Sequence, residues 1–194
     1  MEMDFDTNFD KIKVIDNFFS EEIHKDIWEH VHPQRPIWSL TGGHDNPNRY
    51  KFWHIDFLHK DEYFSNFLFR KIINKLGDEY KDYGYRRIYA NGQTAGQHGT
   101  VHPDDGDVTF LYYPNPEWMY RWGGELIFCD GAHPKSTREG LDEESLETQR
   151  IVRYRPNRAV VFPAKILHHA NSPARLYGDL RVSLAYKLIK PCNK

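Results

Sequence analysis

The sequence predicts a mainly β domain with helices on its N-terminal side, and three features carry that expectation. After Tyr83 the chain divides into some seven short alternating segments, "RRIYAN", "DVTFLYYP", "GGELIFCD", "QRIVRYR", "RAVVFP", "HHANSPARLY" and "LRVSLAYKLI", parted by turn residues as in a sandwich or barrel. Before Tyr83, apolar residues recur at helical spacing in two stretches. With 194 residues, 39% apolar and 15% aromatic, the chain can fill one sizeable core, and no internal repeat or linker divides it. A single domain over residues 1–194 is expected, with helical support over about 1–83 and a β core over about 84–190.

Each element has a local reason. In "KIKVIDNFFS" an alternating apolar run meets Ser20, whose hydroxyl can accept from a free backbone N–H at a helix start. Glu21 and Glu22 complement the dipole there, and Ile23, Ile27, Trp28 and Val31 share a face, so a helix is expected from Ser20 to His32. Pro, Gly and Asn punctuate "PQRPIWSLTGGHDNPNRY", implying strands or loops with mobile connections. "EYFSNFLFRKIINKLGDEY" reads as a second helix with Phe67, Ile72, Ile73 and Leu76 toward the core. In "YGDL", Gly178 can supply the positive φ of a two-residue hairpin. "PKSTREGLDEESLETQ" is charged and poor in apolar residues, which suits a long exposed loop.

Composition narrows the function. A formal charge of −2 gives no global attraction for phosphate backbones or anionic lipids, so nucleic acid is a disfavoured partner. Cys129 and Cys192 lie too far apart to suggest a disulfide framework, and the acidic start "MEMDFDTNFDKIK" lacks a basic leader with an apolar run. No window is long and apolar enough for a bilayer span. A cytoplasmic protein with no membrane partner is expected.

The chemistry concentrates in "HGTVHPDDGD", His98 to Asp107. A zinc-type helix with His98 and His102 on adjacent turns is opposed by Gly96, Gly99, Thr100, Val101 and Pro103, all poor helix material, and by the missing glutamate. In an extended chain, residues two apart share a face. His102 and Asp104 then offer one imidazole nitrogen and one carboxylate oxygen to a single cation. A third donor must come from another strand, and "ILHHANSP" offers His168 and His169. Two imidazoles and one carboxylate leave coordination positions open, which suits non-haem Fe(II) rather than a closed structural site. Further on, Arg181 and Ser183 share a strand face. A guanidinium inside a barrel needs an anion, and its planar fork matches a carboxylate such as that of a dicarboxylate cosubstrate.

The order His-x-Asp, "TFLYYPN", "GGELIF", a histidine four residues before a proline, then "RVS" resembles the Fe(II)/2-oxoglutarate-dependent dioxygenases. Within them it is most similar to the prolyl 4-hydroxylase branch, including compact bacterial and phage-type members, over about Arg86 to Leu188. The resemblance implies a double-stranded β-helix, the jelly-roll or cupin-like barrel. It implies iron ligands at His102, Asp104 and His169. His169 is taken over His168 because it stands four residues before Pro173 and twelve before Arg181, where the family places its distal ligand. Arg181, helped by Ser183, would hold the distal carboxylate of 2-oxoglutarate, and Tyr113 matches a position whose hydroxyl binds the same group. Thr109, Leu111 and Tyr113 share strand parity and, with Leu126 on the next strand, would line one pocket. Asn91 stands near a family tyrosine beside the cosubstrate's other end, and many prolyl hydroxylases carry lysine where this chain has Arg181.

The implied activity is hydroxylation of a substrate C–H bond with O2, releasing succinate and CO2, with Fe(II) and 2-oxoglutarate as cofactors and ascorbate as an auxiliary. The expected substrate is a prolyl residue in a peptide or protein. "PIWSLTGGHDNPNRYKFWHID" and the loop Lys135 to Gln149 are candidate lids. Two alternatives stand beside this: a superfamily oxygenase acting on another amino acid, a small molecule or a nucleic-acid base, and a non-catalytic barrel that binds a small dicarboxylate. His98, His133 and His168 are read as structural, Phe110 and Tyr112 as core, and Asp105 and Asp107 as caps of the turn after the ligand strand.

Overall fold

The computed structural model describes residues 5–43, 46–56, 58–130, 136–137, 140–141 and 146–191. In chain order these form β1 (Lys13–Ile15), α1 (Glu21–Val31), β2 (Ser39–Gly43), β3 (Asn46–Ile55), α2 (Phe69–Leu76), β4 (Gly84–Gln93), β5 (Val108–Tyr112), β6 (Leu126–Asp130), β7 (Ser136–Thr137), β8 (Gly140–Leu141), β9 (Glu147–Val152), β10 (Ala159–Pro163), β11 (His168–Ala170) and β12 (Arg181–Ile189). A seven-stranded antiparallel sheet runs β1-β10-β5-β12-β4-β3-β2, and a three-stranded sheet runs β11-β6-β9. Packed against each other, they make the expected double-stranded β-helix.

Strand alternation sorts the side chains of the large sheet. Phe110, Tyr112, Val161, Val182, Leu184 and Tyr186 point outward and bury against Ile27 and Val31 of α1 and Ile72 of α2. The opposite face turns toward the small sheet, where Tyr113, Val160 and Phe162 meet Leu126, Phe128 and Val152. By the same parity Thr109, Leu111 and Tyr113 face the lumen, as do Arg181, Ser183, Ala185 and Lys187. The sequence reading of both sets on the β5 segment holds.

The N-terminal helices are the outer wall of this barrel. Ser20 caps α1 as expected, its Oγ accepting from the Ile23 N–H at 3.4 Å. Asn157, in the left-handed region at φ 56°, ties the helix entrance to the sheet. Its Oδ1 accepts from Phe19 N at 2.9 Å and from the Tyr112 hydroxyl at 3.0 Å, and its Nδ2 donates to Phe19 O at 2.8 Å.

Three expectations need correction. The second helix is not one regular element. A π-helical turn, Tyr63–Leu68, precedes α2, which stops at Gly77 (φ 93°). The core face therefore runs through Phe64, Leu68 and Ile72, while Phe67 is turned out and 45% exposed. The wide turn shifts the register on which Phe67 had been placed. Gly178 closes no hairpin and is not among the positive-φ glycines. Only His168–Ala170 of "HHANSPARLY" is strand, and it belongs to the small sheet while β12 belongs to the large one, so no shared ladder exists to close. Of the stretch from Lys135 to Gln149, expected as one exposed loop, Ser136–Thr137 and Gly140–Leu141 pair as β7 and β8 and the last three residues belong to β9, while residues 135, 138–139 and 142–145 lie outside the described residues, as do His133 and Cys192. Among the described residues no helix is long and apolar enough to cross a membrane.

Candidate metal centre

The centre begins with a pair of histidines held by the backbone. His102 and His168 form an antiparallel bridge: each N–H donates to the other's carbonyl at 3.1 Å. Residues directly opposite in such a pair carry their side chains on the same face, and the two rings come to 4.7 Å between centroids. Asp104, two residues on, returns to that face, with Thr109 on neighbouring β5 donating its hydroxyl to Asp104 Oδ2 at 2.6 Å. His102 Nε2 lies 3.5 Å from Asp104 Oδ1, and His168 Nε2 lies 3.3 Å from Oδ2. One donor atom from each of the three residues falls within 4.8 Å of the others.

The structure brings His168, and not the expected His169, into this cluster. Adjacent strand residues alternate between faces, so with His168 opposite His102, His169 takes the other face of β11, in register with Ile127 of β6. The spacing to Pro173 is one residue longer than the family pattern that favoured His169. His168, read from sequence as structural, stands where a third donor would have to be. His98 keeps its structural reading: its Nδ1 accepts from the Ser172 N–H at 3.3 Å.

The three donors suit a divalent cation. His102 Nδ1 meets Thr100 O at 2.8 Å, and His168 Nδ1 meets Ile166 O at 2.8 Å. A carbonyl can only accept, so each Nδ1 carries a proton and each ring turns its Nε2 toward Asp104. Burial would pull the His102 imidazole down, but its contact with the Asp104 carboxylate holds it above its ordinary value, so a metal ion at Nε2 competes with a proton there. Burial pulls the His168 imidazole below its ordinary value against the opposing influence of Asp104, which keeps it in the neutral, ligating form. For Asp104, burial would push the carboxyl up, but the Lys187 ammonium, then His168 and His102, hold it well below the usual carboxylate range. Asp104 and His168 are buried, whereas the His102 side chain is 49% exposed, so the centre opens to solvent on that side.

The same face of the barrel carries a second polar cluster at the far end of β12. Arg181 is fully buried. Its Nε donates to Gly124 O at 2.9 Å and its Nη1 to Gln93 Oε1 at 2.9 Å, while its guanidinium lies 4.9 Å from the Tyr154 ring and 5.5 Å from that of Tyr113. Its Nη2 and the Tyr113 hydroxyl are both buried without a hydrogen-bond partner. Burial pushes the Tyr113 phenol up to about 12 against the pull of Arg181, so it remains a donor. Two unsatisfied donors facing one lumen are costly unless an acceptor joins them. Between Arg181 and Lys187 on this face stand only Ser183 and Ala185, which add little bulk. Thr109 and Tyr113 are roughly 13 Å apart along the strand, a span suited to an elongated ligand with a polar group at each end.

"GGELIF" and "PN" acquire reasons here. Gly124 sits at φ 77°, and a Cβ on it would meet Arg181 Nε at 2.9 Å, so only glycine lets the backbone carbonyl reach the guanidinium. Asn115 clamps the residues on either side of Arg181: Nδ2 donates to Leu180 O at 2.9 Å and Oδ1 accepts from Val182 N at 2.8 Å. Asn115→Ala is expected to lower stability by roughly 3 kcal/mol, because it strands two buried backbone groups. Chemical denaturation measures it; a change within about 0.5 kcal/mol would contradict the clamp.

Of the remaining expected pocket residues, Ser183 is buried opposite Asn91 in register, and Leu126 packs in the core between the sheets. Thr109 serves Asp104 directly. Asp105 pairs with Arg86 and Arg87 rather than capping a turn, while Asp107 Oδ2 accepts from Lys190 N. Sequence reasoning missed Gln93, Asn115 and Lys187. Lys187 is buried, its ammonium in contact with Asp104 Oδ2 and 3.2 Å from Thr109 Oγ1. Parity counted onward from Arg181 and Ser183 would have found it.

No curated protein sequence matches the chain significantly. Among solved structures, a prolyl-4-hydroxylase from Pseudomonas putida superposes with a TM-score of 0.56 at 17% identity, covering 91% of this chain and 92% of its own. HygX from Streptomyces hygroscopicus, solved with nickel, 2-oxoglutarate and hygromycin B, gives 0.65 at 11% identity over 95% and 85%. An oxidoreductase of the 2OG-Fe(II) oxygenase family from Burkholderia pseudomallei gives 0.58 at 13% over 93% and 86%. These likenesses concern the fold. Residues 80–186, which hold the bridged histidines, Asp104 and Arg181, match the 2OG-Fe(II) oxygenase superfamily, and the chain belongs to it.

Proposed function

We propose that the protein is a 2-oxoglutarate-dependent oxygenase that hydroxylates a prolyl residue in a peptide or protein. The observation that carries the oxygenase reading is the pairing, in one lumen, of a two-histidine, one-carboxylate donor set with two unpartnered buried donors, Arg181 Nη2 and Tyr113 Oη. His102, Asp104 and His168 would hold Fe(II), which when bound supplies oxygen activation coupled to decarboxylation of 2-oxoglutarate. Arg181 and Tyr113 would take the cosubstrate's distal carboxylate, the guanidinium kept in place by Gly124 and Gln93. Asp104 stays ionised and His168 neutral, so neither has to shed a proton before binding the ion. Leu126, Phe128 and Phe162 give the lumen an apolar wall on the side away from His102.

The prolyl assignment draws on the likeness to the Pseudomonas putida prolyl-4-hydroxylase, whose chain is matched over nearly its whole length. Incubation with Fe(II), 2-oxoglutarate and ascorbate is expected to release succinate and to add one oxygen to proline-containing peptides, read by mass spectrometry. Succinate release without oxidised proline, with oxidation of another residue or of a small molecule, would keep the oxygenase and overturn the substrate. No succinate under any condition would leave the dicarboxylate-binding barrel as the better reading.

A further inference from the structure

Lys187 belongs to none of the roles above, yet it is the side chain most intimately placed against the metal donors. It is 2% exposed, on the lumen face of β12, in register with Thr109 on one side and Arg87 on the other. Its ammonium contacts Asp104 Oδ2 and lies 3.2 Å from Thr109 Oγ1, with the Tyr89 ring 5.5 Å away. Asp104 carries one negative charge, and in this arrangement that charge already has a cationic partner. A divalent ion between His102, Asp104 and His168 must share the carboxylate with a second cation that cannot withdraw to water. At such range, away from solvent, like charges repel appreciably.

We propose that Lys187 is a positioning residue of the metal centre, a resident cation that shares Asp104 with the bound divalent ion and loosens the centre's hold on it. This rests on the assignment of His102, Asp104 and His168 as the metal donors. It has two consequences for the molecule. Without metal, the buried carboxylate is neutralised from within the fold, so the apoprotein does not carry an uncompensated charge. With metal, Lys187 and Thr109 still converge on Oδ2 and restrict how the carboxylate can turn.

The test is Co(II) titration, followed by calorimetry and by the visible spectrum of the ion, on wild type, Lys187→Met, Lys187→Arg and His168→Ala. Methionine keeps most of the length of the side chain without its charge. Lys187→Met is expected to bind Co(II) about tenfold more tightly or better, and to gain more in melting temperature on adding Co(II) than wild type does. Lys187→Arg returns the affinity toward wild type. Unchanged or weaker Co(II) binding by natively folded Lys187→Met overturns the proposal. Should Lys187→Met fold only with Co(II), recovery of its native circular dichroism on adding the ion, absent when His168→Ala is also present, supports the same role; failure to recover overturns it. A wild type that binds no Co(II), or a His168→Ala that binds it equally well, would instead remove the metal-site assignment and this inference with it.

Discussion

Replacing His168 by alanine is expected to abolish divalent-metal binding, weakening it by about a thousandfold or more, while His169→Ala stays within about threefold of wild type. The contrast follows from the backbone. The bridge between His102 and His168 places both rings on Asp104, and alternation directs the next side chain to the other face. Titration with Mn(II) in the absence of oxygen separates the two variants without relying on turnover. Should His169→Ala lose the ion and His168→Ala keep it, β11 pairs one residue out of the register described.

The second large effect is at Arg181. Arg181→Met is expected to weaken 2-oxoglutarate binding to the Mn(II)-loaded protein by about a hundredfold or more, the scale of losing a buried charge-assisted contact. Tyr113→Phe removes one neutral donor and is expected to cost about tenfold. Neither change touches the metal donors, so Mn(II) affinity is expected to hold in both. Arg181→Lys keeps the charge without the fork and falls between. The readout is the cosubstrate's dissociation constant, and equal values for Arg181→Met and wild type would show that the diacid binds elsewhere. Arg181→Met also leaves Gly124 O and Gln93 Oε1 without a donor, so its melting temperature is measured alongside.

How much of this was legible in the sequence depended on the range of the interaction. Local rules served well: the Ser20 cap, the two faces of β5 and the His-x-Asp pair all follow from neighbours within a few residues. The identity of the third metal donor did not. Choosing between His168 and His169 needs the register of β11 against a segment 66 residues earlier, and spacing to a proline is a poor substitute for that pairing. The supposed Gly178 hairpin failed for a related reason, since nothing local says that successive strands join different sheets. Lys187 was within reach of parity alone. It was overlooked because a lysine within "LAYKLI" reads as a strand's solvent side, whereas here both faces of the strand are buried.

That last property sets how the chain can vary. Both sides of β12 are committed, one to Val182, Leu184, Tyr186 and Leu188 against the helices, the other to Arg181, Ser183, Ala185 and Lys187. Deleting one residue between Arg181 and Lys187 would put these two side chains on opposite faces, sending one charge into an apolar layer and aliphatic groups into the lumen. Length changes in the stretch from Asn171 to Asp179, which joins the two sheets without any regular strand, leave that alternation intact. Diversification by insertion is thereby steered to that connection, where chain can be added while the chemistry on either side keeps its phase.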